Sequence, residues 1–227
     1  MHASWARHQD EVREAQRLRY RVFALELGAR IDGPLPGHDV DRFDEFCDHL
    51  LVRPAPGGPV IGTYRLLTPS QARRAGGGYS DEEFDLAALS GLRPRMAELG
   101  RSCVSAEHRR GAVILGLWGA VASFLDLQRL EGLIGCVSIG AGATAVGTWN
   151  NVRRRHLAQP PWEARPRVPM PLDGLQDQLD DPPPLLRTYL RIGARVLGPP
   201  AWDARFGGAD LPVMLHTRDL PARFRGA

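Results

Sequence analysis

The chain has 227 residues, 43% of them hydrophobic, which is enough to bury one core in a single domain covering residues 1–227. Its net charge of +3, with 24% charged residues, is not that of an acidic disordered segment. All 29 basic residues are arginine, and the absence of lysine excludes Schiff-base enzymes, P-loop nucleotidases and protein kinases, which each need a lysine amine.

The first part of the chain predicts a helix, a loop and a β-hairpin. Apolar residues recur with a helical period from Gln9 to Leu27. The segment Gly28–Val40 is rich in proline and glycine, which is typical of a loop. Two extended runs follow, Cys47–Arg53 and Val60–Thr68, and the sequence PAPGGP between them favours a hairpin.

The middle of the chain predicts alternating helices and strands. Capping-box spacing predicts a short helix over Ser80–Leu89, and a strand is expected over Met96–Ser105. The segment Arg110–Gln128 is apolar nearly all round, which is typical of a buried helix. A central strand is expected over Gly132–Ile139, followed by a helix that ends near Arg155.

The last elements are a helix over Leu185–Val196 and a strand over Leu211–His216. The complete order mixes helices with strands along one chain. It indicates an α/β (α+β) fold in which helices flank a mixed central sheet around one core.

Cysteine usage and hydropathy predict the compartment. Cys47, Cys103 and Cys136 are odd in number and form no CxxC pair, which fits a reducing cytosol rather than disulfides or a metal site. The N-terminal segment lacks the apolar run of a signal peptide, and the longest apolar run, Ala112–Leu125, is too short to span a bilayer. We therefore expect a soluble cytoplasmic protein, at most peripheral at the inner membrane surface.

Three patterns have plainer explanations than a separate function. Gly140–Ala145 matches the GxGxxA nucleotide fingerprint, but its strand comes late and the acid at the required distance, Glu163, lies in a proline-rich segment. Cys103 is a conceivable acylated nucleophile, although free cysteines are more often small buried apolar residues. Arg153–Arg155 is typical of a solvated helix face, with docking of an acidic partner as the alternative.

Several segments together carry a resemblance to a known family. They are Leu18–Phe23, Asp41–Leu50, Gly62–Leu67, Glu98–Val104 and the C-terminal stretch from Pro184 to Leu211. In this order they resemble the L-ornithine N-alpha-acyltransferases, the enzymes that make lyso-ornithine lipid. The same positions, more sparsely, are similar to acyl-homoserine lactone synthases. The resemblance covers nearly the whole chain.

The resemblance implies a GNAT-like acyltransferase fold and an acyl donor that is carried on acyl-carrier protein. The expected reaction moves a (3-hydroxy)fatty acyl group to the α-amine of L-ornithine, the first step of ornithine lipid synthesis. No cofactor is implied, because the donor substrate is itself an acyl thioester on phosphopantetheine. The loop His108–Val113 matches the GNAT pyrophosphate loop only degenerately, which favours the carrier protein over coenzyme A. The implied donor-binding residues are Ser102, Cys103, Val104, Arg110 and Gly111.

The same resemblance makes Glu98 the candidate base, because an ammonium must lose a proton before it attacks a thioester. The alternative is that Glu98 only pairs with an arginine inside the fold. In a regular strand Glu98 and Ser102 share one face, whereas Arg101 and Cys103 share the other unless a bulge intervenes.

The remaining candidates concern the acceptor. Asp44 joins Glu98 as a catalytic candidate, and with Asp41 it forms a carboxylate pair suited to a doubly cationic amino acid; the alternative for both is loop capping. Arg21 and Arg65 would bind the acceptor's carboxylate through their planar forks, or would instead lock the two aspartates into a structural network. Arg101 and Phe23 complete the predicted substrate site, although a phenylalanine in this pattern is more often a core residue than part of an acyl tunnel.

Other functions stay open at this stage. An acyl-homoserine lactone synthase or another N-acyl amino acid synthase would use the same elements. A non-catalytic GNAT-like module that binds an acyl chain or carrier protein is the alternative from a different class. The expected partners are acyl-carrier protein and ornithine, with possible membrane contact and no nucleic acid or metal.

Overall fold

The computed structural model describes residues 1–109, 112–172 and 179–224. The strands are β1 (His2–Trp5), β2 (Asp48–Arg53), β3 (Gly62–Leu67), β4 (Phe84–Asp85), β5 (Met96–Val104), β6 (Gly132–Ser138), β7 (Arg165–Pro166), β8 (Arg195–Val196), β9 (Ala201–Asp203) and β10 (Gly208–His216). The helices are α1 (Gln9–Tyr20), α2 (Pro69–Arg74), α3 (Tyr79–Glu83), α4 (Ala112–Leu127), α5 (Gly142–Arg155) and α6 (Pro184–Arg191). A π-helical turn, Arg21–Glu26, continues α1.

One mixed sheet forms the centre of the molecule, with its strands in the order β1-β2-β3-β5-β6-β10-β8, and β9 adds to β10. Every pair in it is antiparallel except β5 with β6, which run parallel. Strands β4 and β7 form a separate two-stranded pair. The parallel pair requires a crossover, and α4 supplies it between β5 and β6.

Helices cover both faces of the sheet, as a single α/β domain requires. On one face, Leu117 of α4 packs among side chains of β2 and β3 that include Leu50 and Leu66. On the other face, Leu18 of α1 packs with Leu51 of β2. Because side chains alternate along β2, its neighbouring residues 50 and 51 serve the two different cores.

The sequence predicted most of this order. The long first helix, the loop over 28–40, the hairpin β2–β3, the strands β5 and β6 and the helix α5 are confirmed. Helix α4 is confirmed as well, but it is not buried all round: Leu115 is 51% exposed and Leu127 is 79% exposed. The predicted helix over 185–196 is wrong at its end, because Arg195–Val196 pairs with β10 as strand β8.

The prediction for Ser80–Leu89 is wrong in a way that matters for the site. Helix α3 is short and begins at Tyr79, where the N–H of Gly78 donates to Asp81 at 2.7 Å. Ser80 is not the capping residue, because it lies inside the helix and its N–H donates to the carboxylate of Glu98 at 2.9 Å. The chain after Glu83 then pairs with β7. A distant carboxylate and a distant strand therefore override the local capping pattern.

Among the described residues, no helix combines the length and the apolar character that crossing a membrane requires.

The α4 core contact generates a stability prediction with an internal control. Leu117→Ala removes a side chain that is 1% exposed, and we expect it to lower the free energy of unfolding by about 2–5 kcal/mol. Leu115→Ala, on the same helix but half-exposed, should change it by no more than ~0.5 kcal/mol. Thermal melts of both variants check this, and equal losses would contradict the packing described here.

Candidate active site

The sheet opens at its one parallel pair. Strand β5 pairs with β6 only from Met96 to Glu98, after which β5 stays with β3 and β6 stays with β10. At the point of separation, a Cβ on Gly135 would stand 2.4 Å from the carbonyl oxygen of Leu99, so only glycine fits there. The result is a V-shaped gap between residues 99–104 of β5 and 135–138 of β6.

A small apolar cavity of about 20 Å³, partly open to solvent, lies along this gap. Its walls come from β5, β6, β10, α4 and α6, and include Leu99, Trp118, Cys136, Tyr189 and Val213. A pocket lined mainly by hydrophobic and aromatic side chains suits an acyl chain better than a polar ligand.

One polar patch interrupts the apolar lining. The Nε1–H of Trp118 is buried without a hydrogen-bond partner among the described residues. Nearby, the hydroxyls of Tyr64, Tyr189 and Ser102 hydrogen-bond one another. Ser102 therefore faces this side of the sheet, next to the pocket.

A β-bulge changes the faces that were predicted for β5. The register with β3 passes from Thr63–Cys103 to Arg65–Gly100, so Arg101 and Ser102 together oppose one residue of β3. Arg101 has a φ of 50°, in the left-handed region. As a result Arg101 and Cys103 lie on the same face as Glu98, and Ser102 lies on the opposite face. The expectation for a regular strand is wrong for this reason.

Three arginines and three aspartates form a closed ring of alternating charge on the Glu98 face, which we call the arginine–aspartate ring. Its members are Arg19, Asp39, Arg101, Asp41, Arg65 and Asp44, in the order in which they contact one another. Successive N···O distances are 2.8, 3.2, 3.0, 2.6, 3.1 and 2.8 Å. Arg19 binds both carboxylate oxygens of Asp44, each at 2.8 Å. All six side chains are nine-tenths or more buried.

The ring sets the ionisation of its members. Burial alone acts to raise the pKa of Asp44, but the Arg19 guanidinium outweighs burial and holds that pKa well below its usual range. Burial also acts on Arg65, yet Asp41 and Asp44 raise the pKa of its guanidinium above the usual value. The pKa of Asp41 is lowered and that of Arg19 raised in the same way, so these four side chains are charged at neutral pH, each beside an opposite charge.

The structure thus brings together four predicted substrate residues, namely Asp41, Asp44, Arg65 and Arg101, but pairs them with each other. Their direct roles with substrate stay predictions, and the geometry gives them a positioning role. Arg21 does not join them, since it is exposed at the start of the π-helical turn. Phe23 is buried against Phe206, with ring centroids 5.5 Å apart.

Sequence reasoning missed Arg19 and Asp39. Arg19 lies two residues before Arg21 in the same arginine-rich helix, and Asp39 lies in the loop just before the predicted pair of aspartates. A helical projection carries a usable signal for Arg19, because it follows Ala15 and Leu18 on the buried side of α1. For Asp39 the sequence offers no such signal.

Glu98 lies at the apex of the gap, in the last residue pair that joins β5 to β6. Its side chain is 92% buried; Oε1 accepts the N–H of Ser80, and Oε2 has no partner among the described residues. Burial raises the pKa of Glu98 to about 7, partly offset by the Ser80 hydrogen bond and by Arg93. A carboxylate with this pKa can accept and release a proton near neutral pH.

The residues predicted to bind the acyl donor lie only partly within the described part of the chain. Burial raises the pKa of the Cys103 thiol to about 12, so it is a neutral core group and not an activated nucleophile. Val104 is partly buried against the core beneath α4. Arg110 and Gly111 lie outside the described residues.

The ring generates a prediction with a close control. Arg19→Met leaves Asp39 and Asp44 without their main counter-ion, and we expect a loss of about 3–5 kcal/mol of stability. Arg21→Met, two residues away and exposed, should leave the melting temperature nearly unchanged. Thermal melts of the two variants measure this.

The ring also predicts how stability depends on pH. A depressed carboxyl pKa contributes stability above its unfolded value of 3.8, and that stability is lost as pH falls through the folded pKa. Without Arg19 the pKa of Asp44 rises, so acid unfolding should begin at a higher pH in Arg19→Met than in the wild type. The same acid midpoint in both proteins would show that the ring contributes nothing.

Comparison with known proteins places this geometry in a family. The acetyltransferase (GNAT) domain family matches residues 18–119. A curated L-ornithine N(alpha)-acyltransferase from Brucella abortus is 33% identical over 94% of this chain and 83% of its own length. One from Rhodobacter capsulatus is 34% identical over 97% of this chain and 91% of its own.

A solved structure shares the fold at lower sequence similarity. It is a CoA-dependent acyl-homoserine lactone synthase, BjaI, with a TM-score of 0.56 and 19% identity, covering 96% of this chain and 79% of that one. Together, the opened mixed sheet and the full-length sequence matches identify the chain as a GNAT-type acyltransferase that belongs to the L-ornithine N(alpha)-acyltransferase family.

Proposed function

We propose that the chain transfers a fatty acyl group, with or without a 3-hydroxyl, from acyl-carrier protein to the α-amine of L-ornithine, as the first step of ornithine lipid synthesis. The observation that carries this proposal is the position of Glu98. Its free carboxylate oxygen is buried beside the gap in the sheet, and the apolar pocket begins one residue further on, at Leu99. Glu98 is thus adjacent to the pocket through its chain neighbour Leu99 and its strand partner Ile134, which both line it.

The chemistry needs little more than placement, because a thioester is already activated. The acyl chain would enter along the apolar lining of the pocket, which must widen from about 20 Å³ to hold it, with the thioester in the gap between β5 and β6. Glu98 would take the proton of the incoming ammonium directly or through a water molecule. Beyond Glu98 the edge of β5 facing β6 has no strand partner among the described residues, so its N–H groups are suited to stabilise the oxyanion. Holding both reactants in one site contributes several kcal/mol, on the order of 7 or more in favourable cases.

The donor is proposed to be the carrier-protein thioester, without a separate cofactor. In support, the exposed arginines Arg153–Arg155 at the end of α5 suit an acidic protein partner. The related synthase BjaI is described as CoA-dependent, which makes coenzyme A the competing donor.

A cytoplasmic location at the inner membrane surface completes the proposal. Leu25 and Leu27 in and after the π-helical turn are 69% and 61% exposed, beside the exposed arginines Arg21 and Arg30. Exposed leucines with neighbouring arginines suit peripheral contact with an anionic surface, where an acylated product would leave.

The donor assignment predicts a preference for the carrier protein. With matched acyl chains and L-ornithine, kcat/KM should be ~10-fold or more higher for acyl-carrier protein than for acyl-coenzyme A, and this advantage should shrink as salt screens the surface. Mass-spectrometric detection of N-acyl ornithine supplies the readout. Equal, salt-insensitive turnover with both donors would refute the carrier-protein assignment and leave the acceptor assignment standing.

The base assignment predicts a loss in kcat. Glu98→Gln keeps the shape and the Ser80 hydrogen bond but removes the proton acceptor, so kcat should fall by about 10²–10⁴-fold with little change in melting temperature. In the wild type kcat at saturating L-ornithine should rise with pH as Glu98 deprotonates, because burial and Asp81 raise its pKa, and the Ser80 hydrogen bond, Arg93 and Arg65 lower it, to about 7. The variant should lack this limb. A stably folded Glu98→Gln enzyme with near-normal kcat would end the assignment.

A further inference from the structure

A second group of carboxylates lies near Glu98 and outside the arginine–aspartate ring. It consists of Glu83 at the end of α3, Asp203 at the end of β9 and Asp210 in β10, and we call it the acidic cluster. Asp203 and Asp210 are each 4% exposed, whereas Glu83 is half-buried and gives the cluster access to solvent.

The cluster has hydrogen bonds but no counter-ion. The hydroxyl of Tyr79 donates to Asp203 at 3.2 Å, and the hydroxyl of Ser138 donates to Asp210 at 2.6 Å. Within the described parts of the chain, none of the three carboxylates makes a salt bridge.

The arginine best placed to neutralise the cluster is committed elsewhere. The Arg101 guanidinium lies 5.2 Å from the centre of the Tyr79 ring, but its salt bridges go to Asp39 and Asp41. Burial together with the charge of Asp203 therefore raises the pKa of Glu83 to about 7 and that of Asp210 to about 6. The negative charge here has no internal compensation of the kind that the ring provides.

Strand pairing places Glu98 and the cluster on one face of the sheet. Glu98 pairs with Ile134, and Asp210 pairs with Ser138, four residues further along β6. Because side chains alternate, both carboxylates face the same side as Cys136, which lies midway between them. The distance along β6 from Ile134 to Ser138 is roughly 13 Å, and the charges of both carboxylates act on the Cys136 thiol between these positions.

Cys136 connects this face to the acyl pocket. Its thiol lies 3.5 Å from the Ser80 hydroxyl, and the residue also lines the pocket in the gap. Burial raises the pKa of this thiol well above its usual value, and the charges of Asp210, Glu98 and Glu83 all act in the same direction. The thiol is thus a small neutral group, and its residue lies between the strand positions of Glu98 and Asp210 on this face.

We propose that the acidic cluster binds the side-chain ammonium of the acceptor while Glu98 receives its α-amine, so that the enzyme selects an amino acid with a second cation. This rests on the proposed function. The methylene groups of such an acceptor pass over the apolar surface of Cys136, and the second ammonium supplies the counter-ion that the cluster lacks. Buried carboxylates without a counter-ion destabilise the free enzyme, and a bound cation offsets that cost.

The experiment compares L-ornithine with L-norvaline, which has the same carbon skeleton without the side-chain amine, using one acyl donor. The wild type should prefer ornithine in kcat/KM by roughly 10²-fold, since charge-assisted hydrogen bonds are the strong ones. Asp210→Asn should lower kcat/KM for ornithine by ~10- to 100-fold, mostly through KM, and leave norvaline within about 2-fold.

Two further variants keep the test decisive. Glu83→Gln changes a half-buried position that tolerates substitution, and it should shift the ornithine-to-norvaline ratio in the same direction even if Asp210→Asn folds poorly. Glu82→Gln is the matched control: it lies on the same helix, but its carboxylate is exposed and paired with Arg42. The control should leave the ratio unchanged.

The outcomes distinguish a failure of the acidic-cluster assignment from a failure of the proposed function. Equal losses for both acceptors in Asp210→Asn and Glu83→Gln, or a wild type that uses norvaline as well as ornithine, would overturn the acidic-cluster assignment alone. A wild type that acylates neither acceptor with any donor would overturn the proposed function and the inference with it.

Discussion

The arginine–aspartate ring is the interaction on which the active-site face depends. It draws one residue from α1, three from the loop before β2, one from β3 and one from the bulge in β5. A buried arginine is tolerated only beside a counter-ion, so each arginine of the ring needs its neighbouring aspartates, and each aspartate needs its neighbouring arginines. The ring thereby joins helix, loop and sheet on this face, and it holds Arg101 in its left-handed backbone conformation.

The bulge and the gap both lie in the part of β5 that follows its separation from β6. Once β5 separates from β6 after Glu98, its only remaining strand partner is β3, and the bulge turns Arg101 toward the ring. Ser102 is turned to the opposite side, where it joins the tyrosine hydroxyls beside the apolar pocket. The two faces of β5 therefore carry different groups, with the arginine–aspartate ring on one and Ser102 beside the apolar pocket on the other.

Charge is distributed unevenly across the Glu98 face, and this division is what makes the face suited to an amine. The ring is neutral as a whole because it holds three positive and three negative side chains. It also occupies Arg101, the ring arginine whose charge acts on Asp210 of the acidic cluster. Among the described residues, Glu98 and the acidic cluster consequently have no salt-bridge partner, and they lie next to the apolar pocket.

The sequence by itself determined most of the order of the elements and the family, and it predicted Glu98 as the base. Helical period, β-rich runs and the turn at Pro54–Pro59 are local features, so α1, the β2–β3 hairpin and β6 could be predicted. Only the tertiary structure decided which charges meet: Arg19 rather than Arg21 reaches Asp44, and Tyr79 reaches Asp203 across 124 residues. Such pairings depend on strand order and on the bulge in β5, and no periodicity in the chain encodes either of them.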